Sequence, residues 1–345
     1  MELYTTNPLA DRRWDELVAR HPHSSVFHQS GWLEALKRTY NYDPFVLTTS
    51  PPGVPLNNGI VLCRISSWIT GERAVSLPFA DHCDPLFESW DDAPDFTEWL
   101  RAECERQSWD YVEIRPRVWE MKSNCDLLYA SSYCFHSLSL EPALERIFCA
   151  LHRDSIQRRI RRAEGVHLSY EVGCSEKLVD EFYKLVVKTR HRQGLIPQPR
   201  AWFRNLVGCL GESLQVRMAK KDGVPIAALL TLLHKSTIVF KYGCSDESYH
   251  NCGAIPFLFW KLIEDGKGMD ASEIDFGRSD KENEGLITFK GRFGSTRKSL
   301  RYLRYSRVRS GVMSAWSSQA MRGPLSALPA FVLPAAGRLL YKHIG

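Results

Sequence analysis

A chain of 345 residues, 44% hydrophobic and 25% charged, has the material for about two domains with their own cores. That composition excludes a disordered polymer and a small disulfide scaffold. The net charge of +5 hides an asymmetry: Glu284 is the last acidic side chain, eleven Lys and Arg follow it, and 34 basic face 40 acidic side chains upstream, which points to an anionic partner near the C-terminal third.

The opening MELYTTNPLADRRWDEL lacks a basic segment followed by an apolar run, so it does not read as a secretory leader. Residues 24–40 predict a capped helix with Trp32, Leu33 and Leu36 at helical spacing. Strands are expected at 44–50 and 59–69 around the Pro- and Asn-rich turn 51–59, then a helix at 92–109 and a strand at 110–116. Further on, 155–165 is a basic helix stopped by Gly165, and 175–194 an amphipathic helix capped by Ser175. Helix 199–211 precedes a hairpin, 213–234, turning at Asp222-Gly223. Strand 237–243, helix 254–268 and strand 272–277 complete the pattern. Residues 297–309 alternate basic with apolar side chains and read as a strand with one charged face, followed by a Pro-interrupted apolar tail.

The ten cysteines have no C-x-x-C spacing and no H-E-x-x-H accompanies them. They read as reduced thiols of a cytoplasmic protein, with no metal site. No apolar run is long enough to span a bilayer. WDYVEI (109–114) and MDASEI (269–274) each follow a helix and share Asp, Glu and Ile in register, which suggests a tandem duplication. The expectation is α/β with two domains: 1–150, 151–310, and a basic, apolar tail 311–345.

Two places invite an anionic ligand. In FGRSDKENEGLITFKGRFG (276–294), Gly277, Gly285, Gly291 and Gly294 permit a loop with close backbone approach, and Arg278, Lys281, Lys290 and Arg292 supply cations. At YGCSDESYHNCG (242–253) a strand runs into a helix whose start, Asn251, Cys252 and Gly253, offers unpaired N–H groups to an anion. That order resembles the GNAT acyltransferase core, although its [RQ]-x-x-G-x-[GA] donor signature is absent.

The chain resembles FemAB-like proteins of the GNAT superfamily over roughly residues 20–305, on VFHQSGW (26–32), LPFADHCDPL (77–86), SIQRRIRRAEGV (155–166), KTRHRQGLIPQP (188–199), KYGCSDESYHNCG (241–253) and above all DFGRSDKENEGLITFKGRFG (275–294). The resemblance implies two tandem GNAT-like domains, each a mixed twisted sheet flanked by helices. It implies acyl or aminoacyl transfer to a cell-envelope or polysaccharide precursor, with no tightly bound cofactor. The donor is acyl-CoA or aminoacyl-tRNA, and the coiled-coil arm of some tRNA-using members is not evident. By match to the family's F-K lysine, Lys290 becomes the electrostatic element for the oxyanion. Asp275, Arg278, Ser279 and Arg292 become acceptor contacts, as do Lys188, Arg190 and Tyr242. Asp81, His82 and Asp84 fall in the family's substrate-facing loop, with His82 and Asp84 as proton acceptors. An anionic or lipid-linked acceptor would place the basic tail against a membrane surface. The reading from another class is a non-catalytic protein holding an anionic polymer, lipid or partner.

Overall fold

The computed structural model describes residues 2–88, 93–118, 127–307 and 333–344. In chain order its strands are β1 (Tyr4–Thr6), β2 (Asp43–Thr48), β3 (Ile60–Ser67), β4 (Gly71–Ser76), β5 (Tyr111–Ile114), β6 (Leu128–Ser139), β7 (Ser169–Gly173), β8 (Leu214–Lys221), β9 (Val224–His234), β10 (Thr237–Ser245), β11 (Glu273–Asp280) and β12 (Thr296–Ser306). The helices are α1 (Arg12–Arg20), α2 (Ser30–Tyr40), α3 (Ala93–Arg106), α4 (Leu144–Ala150), α5 (Arg158–Gly165), α6 (Glu176–Arg192), α7 (Arg200–Leu210), α8 (Ala254–Gly268), α9 (Glu284–Gly291) and α10 (Leu333–Ile344). Among the described residues no helix is long and apolar enough to cross a membrane.

The chain forms two compact units. The first runs from Met1 to Ser132 and is completed by segments that begin at Leu300 and Leu339. Its strands are ordered β1-β2-β3-β4-β5-β12; all pairs are antiparallel except β4 with β5. Phe45, Leu62, Phe96, Leu100, Val112, Ile114 and Leu303 fill its core. The turn of α10 around His343 docks on this unit: the buried Arg73 Nη2 and Thr70 Oγ1 donate to the His343 carbonyl, and Tyr42 Oη donates to those of Tyr341 and Lys342. These donors satisfy carbonyls that a helix end leaves open.

The second unit runs from Tyr133 to Ser299, with strands ordered β6-β11-β10-β9-β8-β7. The β8–β9 hairpin turns at Asp222 and Gly223, both at positive φ, as the Asp-Gly pair predicts. Its core is gathered around α8, whose Phe257, Phe259, Leu262 and Ile263 pack on Leu138, Leu229, Ile274 and Phe276. Phe259 meets Phe240, Phe276, Phe289 and Phe293 at centroid distances of 4.8, 5.3, 5.8 and 4.8 Å. Such pairs contribute about 0.5–1.5 kcal/mol each beyond burial, so α9 is clamped on the sheet.

Three expectations need correction. The division falls at Ser132/Tyr133 rather than at 150, because β6 joins the second sheet through β11, while β12, expected in the second domain, pairs with β5. The sequence around 276–294 is not a loop: it is the end of β11, a short turn, and α9, capped by Asn283 Oδ1 on Leu286 N. The helix expected at 24–40 starts at Ser30, after a 3-10 turn at Val26–His28. Of the tail, 333–344 is helical with His343 buried in the first unit; the rest, 308–332, lies outside the described residues.

Candidate active site

In the second unit β10 and β11 run parallel, yet their ladder covers only Thr237–Val239 against Glu273–Asp275. Past that point β10 continues to Ser245 along β9, with a register shift at Phe240/Tyr242. β11 continues to Asp280 along β6, with a shift between Asp275 and Arg278. Two neighbouring strands that each bulge and then follow different partners open a wedge at their C-terminal ends. Ligands of α/β sheets gather at such ends.

Asp275, Gly277 and Lys290 build the β11 bulge. Gly277 sits at φ 69°, where a side chain would be strained. The buried Asp275 carboxylate accepts from Gly277 N at 2.6 Å. From the other side Lys290 Nζ donates to the carbonyls of Gly277 at 3.0 Å and Arg278 at 2.9 Å. Lys290 is 2% exposed; the amphiphilic side chain, carried on a helix held down by Phe289 and Phe293, is threaded into the interior.

Beside it lies a residue that the sequence reading did not single out. Ser279 pairs across β11–β6 with Cys134, so His136, two residues along β6, shares their face of the sheet. Both are buried, and neither His136 Nδ1 nor Ser279 Oγ has a hydrogen-bond partner among the described residues. An unsatisfied buried polar atom costs about 1–3 kcal/mol, and such atoms call for a chemical reason. Burial first, then the charges of Lys290 and Arg297, lowers the His136 pKa to about 4. At neutral pH the ring is an uncharged base next to a buried cation.

The other candidates sort by unit. In the second, Arg278 is half-buried with its guanidinium 4.4 Å from the Tyr133 ring centroid, and Arg292 is exposed at the end of α9. Tyr242 Oη accepts from Trp202 Nε1 at 2.9 Å. Lys188 is engaged with Asp246 at 2.6 Å, an ion pair between a helix end and the cap of the next turn, and Arg190 reaches Gln193 at 3.4 Å. Asn251 is exposed, Cys252 is buried, and Gly253 begins α8 at φ 77°. A Cβ on Gly253 would lie 2.3 Å from the carbonyl oxygen of Arg159. The glycine therefore serves the close packing of α5 against the start of α8.

In the first unit Asp81, His82 and Asp84 share one loop, and the loop is stapled from several sides. Asp84 Oδ1 accepts from Arg117 N and Val118 N, both at 2.8 Å, and its carbonyl meets His28 Nε2 at 2.8 Å. Tyr302 Oη donates to the Asp81 carbonyl at 2.6 Å. His82 is buried, edge-on to Phe27. These contacts make Asp84 a loop staple. A cavity of about 510 Å³ lies at the opposite end of β8–β10, lined by Arg217, Thr231, Ile238 and Asp265 among others; none of the candidates lines it. Among the described residues no cluster of His, Cys, Asp and Glu is placed to hold a metal ion.

Residues 150–290 match the profile of the family described as Acetyltransferase (GNAT) domain. No curated protein matches the chain by sequence. Among solved structures, FemX aligns with a TM-score of 0.68 at 12% identity, over 89% of this chain and 97% of its own. The C-terminal domain of a putative lysylphosphatidylglycerol synthetase from Agrobacterium fabrum aligns with a TM-score of 0.56 at 16% identity, over 94% and 97%. A tandem GNAT protein from the clavulanic acid biosynthesis pathway aligns with a TM-score of 0.55 at 10% identity, over 90% and 100%. The wedge between β10 and β11 and Lys290 lie inside the segment 150–290 that matches a GNAT acetyltransferase domain, and the chain has the fold of the tandem GNAT proteins.

Proposed function

We propose that the protein is an N-acyltransferase that moves an acyl or aminoacyl group to an amine of a cell-envelope or polysaccharide precursor. The observation that carries this reading is a buried His136, its Nδ1 without a hydrogen-bond partner among the described residues and its ring held neutral by burial and by the charge of Lys290. An activated acyl donor with an extended, amide-bearing arm fits strand edges whose ladder has ended, which favours acyl-CoA; aminoacyl-tRNA is the rival donor. An anionic or lipid-linked acceptor suits the exposed Arg292 and the half-buried Arg278. The acceptor amine attacks the acyl carbon, its proton passes to the His136 ring, and the field of Lys290 and the backbone it fixes stabilise the developing oxyanion. The leaving thiolate or ribose oxygen then takes a proton as the carbonyl reforms.

The test is product mass spectrometry with acetyl-CoA, longer acyl-CoAs and charged tRNA against amine acceptors that include nucleotide-linked muropeptides. The expected result is an acylated amine with one donor class. His136→Gln should lower kcat by roughly 10²–10⁴-fold with KM unchanged. No product and no donor binding at millimolar concentration, or full activity in His136→Gln, would refute the proposal.

A further inference from the structure

Outside the site, the first unit carries an unusual surface. Trp68, in the turn between β3 and β4, is 87% exposed. Its ring lies edge-on to His343 of α10, with centroids 5.7 Å apart. On the same helix Leu339, one turn earlier, is 67% exposed and Ile344 is 42% exposed. Lys342 between them is also exposed. Three exposed large apolar side chains thus lie in this turn and on the last turns of the helix, whose part in this unit, LLYKHI, carries Lys342 and no acidic residue. Glu72, at the start of β4, is tied to Ser66 Oγ at 2.5 Å.

The backbone below this patch is fixed. Arg73 and Thr70 hold the His343 carbonyl, and Ser67 Oγ meets His343 Nδ1 at 2.9 Å. The tip is therefore presented on a rigid base, so an occupant gains its contacts without first ordering the patch. A tryptophan, two aliphatic side chains and a lysine are the composition that settles at a lipid headgroup boundary, where indole and aliphatic groups enter the acyl edge and the ammonium meets phosphates.

We infer that the turn at Trp68 and the end of α10 form a docking surface for an anionic lipid bilayer. This goes beyond acyl transfer and does not depend on it, since binding is read without turnover.

The experiment is flotation of the full chain with phosphatidylcholine vesicles containing or lacking 30–40 mol% (about one-third) phosphatidylglycerol. The expected result is binding to the anionic vesicles alone, weakened by high salt, and about tenfold lower partitioning for Trp68→Ser and for Leu339→Ser. Lys342→Glu should lower binding to anionic vesicles further. All three positions are exposed, and circular dichroism checks the fold. Failure of the wild-type chain to float with anionic vesicles overturns the inference, as does unchanged binding in the Trp68→Ser, Leu339→Ser double variant. Sedimentation showing that the double variant turns a dimer into a monomer, with no vesicle binding by either, assigns the patch to a second copy and overturns it as well.

Discussion

Lys290→Met isolates the charge at the candidate site while keeping most of the side-chain volume. The substitution removes two hydrogen bonds and leaves the carbonyls of Gly277 and Arg278 without that donor in a buried place. Each orphaned carbonyl costs about 1–3 kcal/mol, but loss of a buried charge returns part of it. A net destabilisation of about 2 kcal/mol follows, well inside the 5–15 kcal/mol typical of domains, so the variant folds. The same change acts on His136. Its pKa is lowered to about 4 by burial first and by Lys290 second, so removing the lysine raises it only part of the way toward 6.5. The wild-type ring binds its proton less readily folded than unfolded, so stability falls on acidification through the window from about 6.5 to 4. With screening of the exposed Arg297, that loss is about 2 kcal/mol, and it is smaller in Lys290→Met. Histidine NMR titrations of both proteins, with His136→Gln assigning the resonance, read the shift directly. An unchanged midpoint, or an upward shift all the way to the ordinary value, refutes the reasoning, and so does full transferase activity in the folded variant.

Other outcomes follow from particular contacts. Glu113 is buried between Arg115 at 2.8 Å and Arg304 at 2.5 Å; burial alone would raise its pKa, and the two guanidiniums outweigh that and hold it low. Its contribution is therefore present above the ordinary carboxylate range and lost as pH falls through the lowered value, and Glu113→Gln should cost about 3 kcal/mol at neutral pH and flatten the acid limb of the denaturant midpoint. Gly253→Ala places a Cβ 2.3 Å from the Arg159 carbonyl at positive φ and should destabilise by roughly 2–4 kcal/mol in urea unfolding. Gly208→Ala, in α7 with nothing within 4 Å, should instead be neutral or stabilise by up to about 1 kcal/mol.

What the sequence makes legible is what local physics decides. The Ser175 cap, the Asp222-Gly223 turn and the apolar stripe of α6 each follow from nearby residues, and the structure has all three. The glycines at 285 and 291 argue against a helix, yet α9 forms because Phe289 and Phe293 pack on Phe259, a contact that no local pattern reveals. β6 is hidden for another reason. LYASSYCFHSLS is exposed at its start and buried on both faces toward its end, so neither alternation nor an apolar run stands out. His136 is concealed along with that strand. Lys290 is legible through its resemblance to the F-K motif, but its bonds to Gly277 and Arg278 depend on a bulge that sequence spacing does not expose.

The place of β12 has a consequence for how the molecule is made. β5 has β4 on one side and, on the other, residues Leu303–Ser306, which leave the ribosome only after nearly two hundred further residues. Until then the growing N-terminal unit presents Tyr111–Ile114 as a bare sheet edge, a template for wrong pairing. A shortened chain ending before Leu300 should therefore aggregate through this strand even though most of its own core residues are present.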